Sequence, residues 1–178
     1  MLDNTKSGII TIETERLKVS GLEGHEVELA ALFADEKAME FYPDFITHAK
    51  ALGALEFLGM AEKVGLFAYT IVLKETGQAI GLVTLNNINE GFKHIEIGYF
   101  LLSEHWGKGF AREVVAALVN FLQGQGWHRI EATVYSGNEA SEKVLRACGF
   151  VLEGVLRDKC MINGKYYDDI VYAIVRQV

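Results

Sequence analysis

The chain has 178 residues, of which 50% are hydrophobic and 23% are charged, and its formal net charge is −7. This composition is typical of a globular protein with a full core and argues against intrinsic disorder. The acidic balance argues against a nucleic-acid-binding protein, which normally presents a basic surface to phosphates. It is compatible with a cationic substrate such as an amine.

Targeting and metal-binding signals are weak. No apolar run approaches the ~20 residues that cross a bilayer, and residues 1–16 lack the order of a signal peptide. We therefore expect a cytoplasmic protein without a membrane partner, and a single domain over residues 1–178. Two cysteines and five histidines show no spacing typical of a disulfide framework or metal site, so we expect no metal.

The N-terminal third predicts one strand and two helices. Alternating polar and apolar side chains predict a strand at residues 16–20, and a helical spacing follows at residues 24–38. We expect Pro43 to break the helix. Thr47 is predicted to cap a second helix that reaches about residue 63.

The middle of the chain predicts consecutive strands. Residues 66–73 and 78–85 have the pattern of a hairpin. A polar loop is expected at residues 86–91. Residues 94–102 then form a nearly continuous apolar strand that is interrupted by Glu96.

In the C-terminal half the apolar period changes. Residues 110–122 form one wide apolar helical face, followed by a strand at residues 129–134 and a short helix at residues 138–148. Strands at residues 151–162 and 165–175 meet at Asn163-Gly164, a strong hairpin signal. The order β-α-α-β-β-β-α-β-α-β-β predicts an α/β or α+β fold.

The loop Gly107-Lys108-Gly109 lies between a buried strand and the start of a helix. The first N–H groups of a helix lack intrahelical partners and carry the positive end of its dipole. Glycines allow a ligand to approach the backbone closely, and Lys108 and Arg112 add positive charge. The loop therefore predicts a phosphate cradle; a glycine turn with two solvated cations is the alternative.

Four segments in register resemble the GNAT acetyltransferase superfamily, in the branch named for ribosomal-protein N-acetyltransferases. They are Glu96-Ile97-Gly98-Tyr99, the loop at residues 106–111, Asn138-Glu139-Ala140-Ser141, and Leu156-Arg157-Asp158 with Asn163-Gly164-Lys165-Tyr166-Tyr167-Asp168. Gly109 and Ala111 match the family's phosphate loop, whereas Trp106 replaces its Gln or Arg. The resemblance runs from about residue 13 to residue 175 and is weakest at residues 24–63.

The resemblance implies a GNAT fold with a central, mostly antiparallel mixed sheet that is splayed between strands 4 and 5 and flanked by helices. Acetyl-CoA is then the co-substrate, with its pantetheine arm in the splay. The implied cofactor-binding residues are Tyr99, Phe100, Leu101, Leu102, Gly107, Lys108, Gly109, Phe110, Ala111, Arg112 and Asn138. For Asn138, helix capping is an equally open alternative.

The implied reaction is direct attack by a primary amine on a thioester. The amine must lose a proton first, and Glu96, a lone acid in an apolar strand, is the candidate base, directly or through water. A glutamate that only points to solvent is the alternative. Ser141 is the candidate proton donor to the leaving thiolate, with Tyr135 as a rival.

For acceptor binding, the candidates are Phe41, Tyr42 and Phe45, with ordinary core aromatics as the alternative. Cys148 is expected to pack in the interior rather than act as a nucleophile.

The expected acceptor is the α-amine of a protein or peptide N-terminus, for example of a ribosomal protein. Polyamines, aminoglycosides and other small amines are alternatives. In a different class, the chain would be a non-catalytic acyl-CoA-binding regulatory module, or a structural protein whose loop is only a turn. The oligomeric state stays open, and a homodimer is compatible with the sequence.

Overall fold

A computed structural model describes residues 10–177, with the backbone alone for Phe45. The strands are β1 (Ile12–Glu13), β2 (Leu17–Ser20), β3 (Phe67–Leu73), β4 (Gln78–Asn89), β5 (His94–Leu101), β6 (Arg129–Tyr135), β7 (Val151–Ile162) and β8 (Lys165–Val175). The helices are α1 (Glu26–Ala34), α2 (Pro43–Leu52), α3 (Ala54–Lys63), α4 (Phe110–Gly124) and α5 (Glu139–Ala147), with a 3-10 turn at Ser103–His105.

The strands form one sheet in the order β1-β2-β3-β4-β5-β6-β8-β7. Within the described residues, β5 and β6 form its one parallel pair, and they pair only from His94–Glu96 to Arg129–Glu131. Beyond Glu96 the two strands separate, while β5 stays paired with β4 and β6 with β8. The predicted mixed, mostly antiparallel sheet is confirmed, and the predicted strands 4 and 5 are β5 and β6.

Side chains alternate between the two faces of β5. Ile95 and Ile97 are buried in the core cluster that also contains Val114 and Leu118 of α4. On the opposite face, Phe100 packs with the second cluster, which α1, α2 and α3 build with β4. Glu96 and Phe100 are four residues apart on β5, so their side chains point to the same face, the one that α1–α3 cover.

The predicted helices in residues 24–63 are corrected in three places. Helix α1 already ends at Ala34, and Pro43 begins α2, because a fixed φ and a missing N–H suit the first helical position. Thr47 consequently lies inside α2, where its hydroxyl donates to the Pro43 carbonyl at 3.2 Å. Gly53, with φ 85°, separates α2 from α3.

The predicted polar loop at residues 86–91 is also partly wrong. Strand β4 continues to Asn89, and its register to β5 shifts between Asn86 and Asn89. Asn87 adopts φ 48° within this irregularity, a left-handed conformation that asparagine tolerates. Strand β1 was missed, whereas the hairpin at Asn163-Gly164 is confirmed.

Candidate functional site

The gap between β5 and β6 exposes backbone groups of β5. The Leu102 N–H donates to the Ile80 carbonyl of β4 at 2.9 Å, and Phe100 is paired with Leu82. Because backbone groups alternate in direction along an antiparallel strand, Tyr99 and Leu101 direct theirs toward the gap. Of the four predicted strand residues, these two offer backbone groups to a ligand there, while Phe100 and Leu102 bond to β4.

The predicted phosphate loop leads directly into α4. Gly107 and Gly109 adopt left-handed φ values of 72° and 81°, which glycine accepts without strain. Gly109 is the N-cap of α4, and its carbonyl accepts the Glu113 N–H at 3.1 Å. The N–H groups of the first turn before Glu113 have no intrahelical acceptor, so they form the donor set that a phosphate needs.

Two side chains hold this loop in place. The Trp106 Nε1–H donates to the Leu101 carbonyl at 2.9 Å, which gives the departure from the family's Gln or Arg a structural role. The Arg16 Nη1–H donates to the Lys108 carbonyl at 3.0 Å, and the Arg16 guanidinium lies 4.5 Å from the Phe110 ring centroid.

Glu113 of α4 completes the attachment of the loop to the N-terminal segment. Its carboxylate accepts hydrogen bonds from the Thr14 hydroxyl and from Arg16 Nε, each at 2.6 Å. Partial burial disfavours the charged form, but these hydrogen bonds outweigh it and hold the pKa of Glu113 below its usual value. Sequence reasoning missed Arg16 and Glu113 as supports of the loop, although Arg16 lies in the matching N-terminal segment.

The start of α5 faces the same side of the gap as Tyr99. Asn138 caps the helix, because its Oδ1 accepts the Ser141 N–H at 3.1 Å. This confirms the capping role and leaves the Asn138 Nδ2 as a donor. The Ser141 hydroxyl lies 2.7 Å from the Tyr99 hydroxyl. Burial raises the pKa of Tyr99, so its phenol stays protonated.

Glu96 lies on the opposite face, at the last paired position before the strands separate. Its Oε2 accepts a hydrogen bond from Asn87 Nδ2 at 2.5 Å. The neighbouring Glu131 is bound by the guanidinium of Arg129, so its charge is offset.

Aromatic rings cover this face. Tyr42 lies 4.9 Å from Phe100 and 5.4 Å from Tyr135, measured between ring centroids. Phe41 lies 6.3 Å from Tyr135 and 5.9 Å from Tyr167. The predicted residues Phe41 and Tyr42 thus meet on the face of Glu96, and the side chain of Phe45 lies outside the described residues. Tyr135 joins them, on the face opposite Ser141.

Asp169 of β8 is a further acid on this face that sequence reasoning missed. It is paired with Tyr135 across β6 and β8. Burial first, then the negative charges of Glu96 and Asp169, raise the pKa of Tyr42 to about 12. The available signal was the alternation of β8, since Ile170 and Tyr172 belong to the core on the other face.

Comparison with known proteins identifies the family. The acetyltransferase (GNAT) domain matches residues 16–151. The chain belongs to the GNAT acetyltransferase family. It is similar to the uncharacterized N-acetyltransferase YoaA of Bacillus subtilis strain 168, with 31% identity over 93% of this chain and 96% of that protein.

Two solved acetyltransferases share the fold. A ribosomal-protein-S5-alanine acetyltransferase from Vibrio fischeri is 28% identical, with a TM-score of 0.72 over 93% of this chain and 96% of its own. A spermidine N-acetyltransferase SpeG chimera from Vibrio cholerae and hSSAT is 27% identical, with a TM-score of 0.75 over 90% and 96%. The resemblance to the ribosomal-protein branch is therefore confirmed.

As a GNAT protein, the chain is an acetyl-CoA-dependent N-acetyltransferase. The residues present fit this co-substrate, since a gap with free strand backbone leads to a loop with free helix amides. Cys148 fits a packing role, because its Sγ donates to the Arg112 carbonyl at 3.5 Å and burial raises the pKa of its thiol.

Residues 10–177 contain neither a metal-binding cluster nor a membrane-spanning helix. No group of three or more His, Cys, Asp or Glu side chains is arranged to hold a metal ion there. In the same part of the chain, every helix is too short or too polar to cross a membrane.

Proposed function

We propose that this acetyltransferase transfers acetyl from acetyl-CoA directly to the α-amine of a protein or peptide N-terminus. The exposed apolar side chains of the β7–β8 hairpin, beside the aromatic face, carry this choice of acceptor. Leu156, 49% exposed, lies across from Asp169 on that face, whereas Met161 and Tyr166, each 61% exposed, pair on the other face of the same hairpin. Exposed apolar side chains on both faces of one hairpin favour contact with another polypeptide, which a small amine would not need.

Glu96 is the proposed base. An α-amine has a pKa of ~8, so most acceptor molecules arrive protonated at neutral pH and a proton must be removed. Glu96 lies on the aromatic face where β5 and β6 separate, the position from which an amine reaches the gap. Asn87 binds one of its carboxylate oxygens and leaves the other to take the proton, directly or through water.

Ser141 is the proposed proton donor to the leaving group. The amine nitrogen bonds to the thioester carbon, the C–S bond breaks with its electron pair on sulfur, and sulfur takes the Ser141 hydroxyl proton. The Tyr99 phenol, 2.7 Å from that hydroxyl, stays protonated and hydrogen-bonds to the serine oxygen, which regains its proton from solvent. Tyr135 is less favoured as a donor, because it lies among the aromatic rings of the other face.

The proposed acetyl-CoA contacts follow the gap and the loop. The backbone of Tyr99 and the N–H of Leu101 pair with the pantetheine arm, and Asn138 Nδ2 donates to it. The pyrophosphate is bound by the segment Gly107, Lys108, Gly109, Phe110, Ala111 and Arg112, through main-chain amides and two positive side chains.

A small cationic amine is the second candidate acceptor. The observation that favours it is the carboxylate of Asp169 among aromatic rings, a combination that binds organic cations. The solved spermidine N-acetyltransferase chimera supports the same alternative.

A substrate panel tests the choice. Thiol release from acetyl-CoA is measured with a peptide that has a free N-terminus, its N-acetylated twin, spermidine and an aminoglycoside. We expect the free peptide to give the highest kcat/KM and its acetylated twin no turnover. Turnover of spermidine alone would favour the second candidate, and acetyl-CoA binding without any turnover would favour a regulatory module.

The role of Glu96 is tested on the same substrates. Glu96→Gln should lower kcat by about 100-fold or more at neutral pH, the usual contribution of a general base, without changing the KM for acetyl-CoA. The control is Glu56→Gln, which removes the same charge from an exposed position on α3. Full turnover by Glu96→Gln across neutral pH would remove Glu96 from the mechanism.

A further inference from the structure

Four aromatic rings and one acid meet on the α1–α3 face of the sheet. We call Phe41, Tyr42, Tyr135, Tyr167 and Asp169 the acceptor cluster. The rings are linked by centroid distances between 5.4 and 6.3 Å. Asp169 enters the cluster from β8, where it is the direct register partner of Tyr135 and lies two residues from Tyr167.

The Asp169 carboxylate is incompletely satisfied. Its Oδ1 is buried and has no hydrogen-bond partner among residues 10–177. Buried polar atoms are normally paired, and an exception calls for an explanation such as a bound group. Burial raises the pKa of Asp169, and the charge of Lys159 offsets this effect only in part. Asp169 thus lacks the neighbours that make a buried carboxylate stable.

Glu96 is a second acid on the same face of the sheet as Asp169. Burial first, then the charges of Glu96 and Asp169, raise the pKa of Tyr42, and both carboxylates lie on the face of the sheet that the Tyr42 ring covers. Glu96 differs from Asp169 because Asn87 already binds it. The reaction has two tasks for carboxylates, since the acceptor arrives as an ammonium ion and must then lose a proton.

We propose that Asp169 binds the ammonium group of the acceptor within the acceptor cluster, and delivers it to Glu96 for deprotonation. The unpaired oxygen accepts an N–H of the ammonium as a charge-assisted hydrogen bond. The faces of the surrounding rings attract the same cation. The cluster therefore selects an unhindered cationic amine and sets its affinity, while Glu96 serves the chemical step.

This inference rests on acetyl transfer to an amine at this face, and it holds for a peptide or a small-amine acceptor. Its first test needs no turnover. Methylammonium chloride, which keeps its N–H groups and is not acetylated when the protein holds CoA without an acetyl group, is titrated into the CoA-loaded protein and its methyl signal is followed by NMR. The uncharged probe is methanol, and sodium chloride corrects for ionic strength.

We expect methylammonium to bind the wild-type protein more tightly than methanol does, and Asp169→Asn to abolish the preference. Asp158→Asn is the control, because Asp158 is exposed on neighbouring β7 at φ 51°, where asparagine is tolerated. Equal binding of the two probes by the wild type would overturn the proposal. So would an unchanged preference in Asp169→Asn.

Kinetics provide the second test, with whichever acceptor the panel identifies. Losing one charge-assisted hydrogen bond should raise the acceptor KM of Asp169→Asn by about 10- to 100-fold, with the KM for acetyl-CoA unchanged. If only spermidine is turned over, the peptide acceptor is wrong but this prediction still applies to spermidine. An equal rise in both KM values would indicate a structural role and refute the proposal.

Thermal unfolding distinguishes a binding role of Asp169 from a structural one. A residue that only supports the fold should destabilise the protein when it is replaced. Because Asp169 carries an unpaired buried oxygen, Asp169→Asn should unfold at or above the wild-type temperature at neutral pH. A clearly lower midpoint would contradict the assignment.

Discussion

The attachment of the phosphate loop to the N-terminal segment can be tested with Glu113→Gln. The change keeps the shape of the side chain but removes the charge that Thr14 and Arg16 bind. Hydrogen bonds to a charged group stabilise by about 1.5–3 kcal/mol. The Arg16 side chain retains 43% exposure against 18% for Glu113, so solvent screening reduces this value.

We therefore expect a loss of about 1–2 kcal/mol in the free energy of unfolding, after this discount. For a chain of this size, that loss lowers the unfolding midpoint by about 2–8 °C. Arg16 also binds the Lys108 carbonyl. If Arg16 is freed when the carboxylate is lost, its hydrogen bond to the loop is lost as well, and the Kd for acetyl-CoA rises by at most about tenfold.

The pH dependence gives a sharper test of the charge. The pKa of Glu113 is lowered in the folded protein from 4.5, so its stabilisation is complete above that value. It is lost as the pH falls from 4.5 through the folded-state pKa. The difference in stability between wild type and Glu113→Gln should accordingly be largest near neutrality and shrink below about pH 4.5.

Calorimetric unfolding at several pH values measures this difference. The control is Glu139→Gln, since Glu139 pairs with Lys143 on α5 with both side chains more than 70% exposed, at 78% and 74%. Its effect should stay below about 0.5 kcal/mol. An effect of Glu113→Gln equal to this control at pH 7, or a larger effect that persists unchanged in acid, would contradict a stabilising role of the Glu113 charge.

Three further variants test the two sides of the cofactor gap. Trp106→Phe keeps the ring but removes the bond to the Leu101 carbonyl, and titration should show acetyl-CoA binding weakened by about threefold to tenfold; unchanged affinity would mean that the indole N–H does not hold the loop. Ser141→Ala should lower kcat at an unchanged KM for acetyl-CoA, by about 10-fold or more. Tyr99→Phe should lower kcat less, since it leaves the Ser141 hydroxyl in place. Stopped-flow thiol release measures both variants, and wild-type rates would exclude this pair of hydroxyls from protonation of the leaving group.

Local patterns were sufficient to predict the glycine loop and the helix that follows it, whereas acetyl-CoA itself was implied by the resemblance to the family. The change of period at Phe110 and the glycines before it depend on neighbouring residues alone, so they are visible in one sequence. The alternation of side chains along β5 likewise places Glu96 and Tyr99 on opposite faces of the sheet. The Asn163-Gly164 turn fixes the last hairpin by the same local rule.

The acceptor side depends on contacts between distant segments. Nothing near Asp169 in the sequence indicates Tyr42, because the two meet only when the segment between α1 and α2 covers β6 and β8. The division of one predicted helix into α2 and α3 comes from a single left-handed glycine, Gly53, in a region with acceptable helical spacing. Trp106 was recognised as a departure, but its hydrogen bond required the position of the Leu101 carbonyl.

The alternation of β5 has a consequence for how this protein can diverge. One strand directs Glu96 and Phe100 to the proposed acceptor face and Tyr99 to the proposed cofactor side, so a single inserted or deleted residue within it would exchange the two sets. Substitutions in α1–α3 and at the odd-numbered positions of β8 leave the two faces of β5 unchanged. New acceptors should therefore arise by replacement on one face, with the length of β5 held constant.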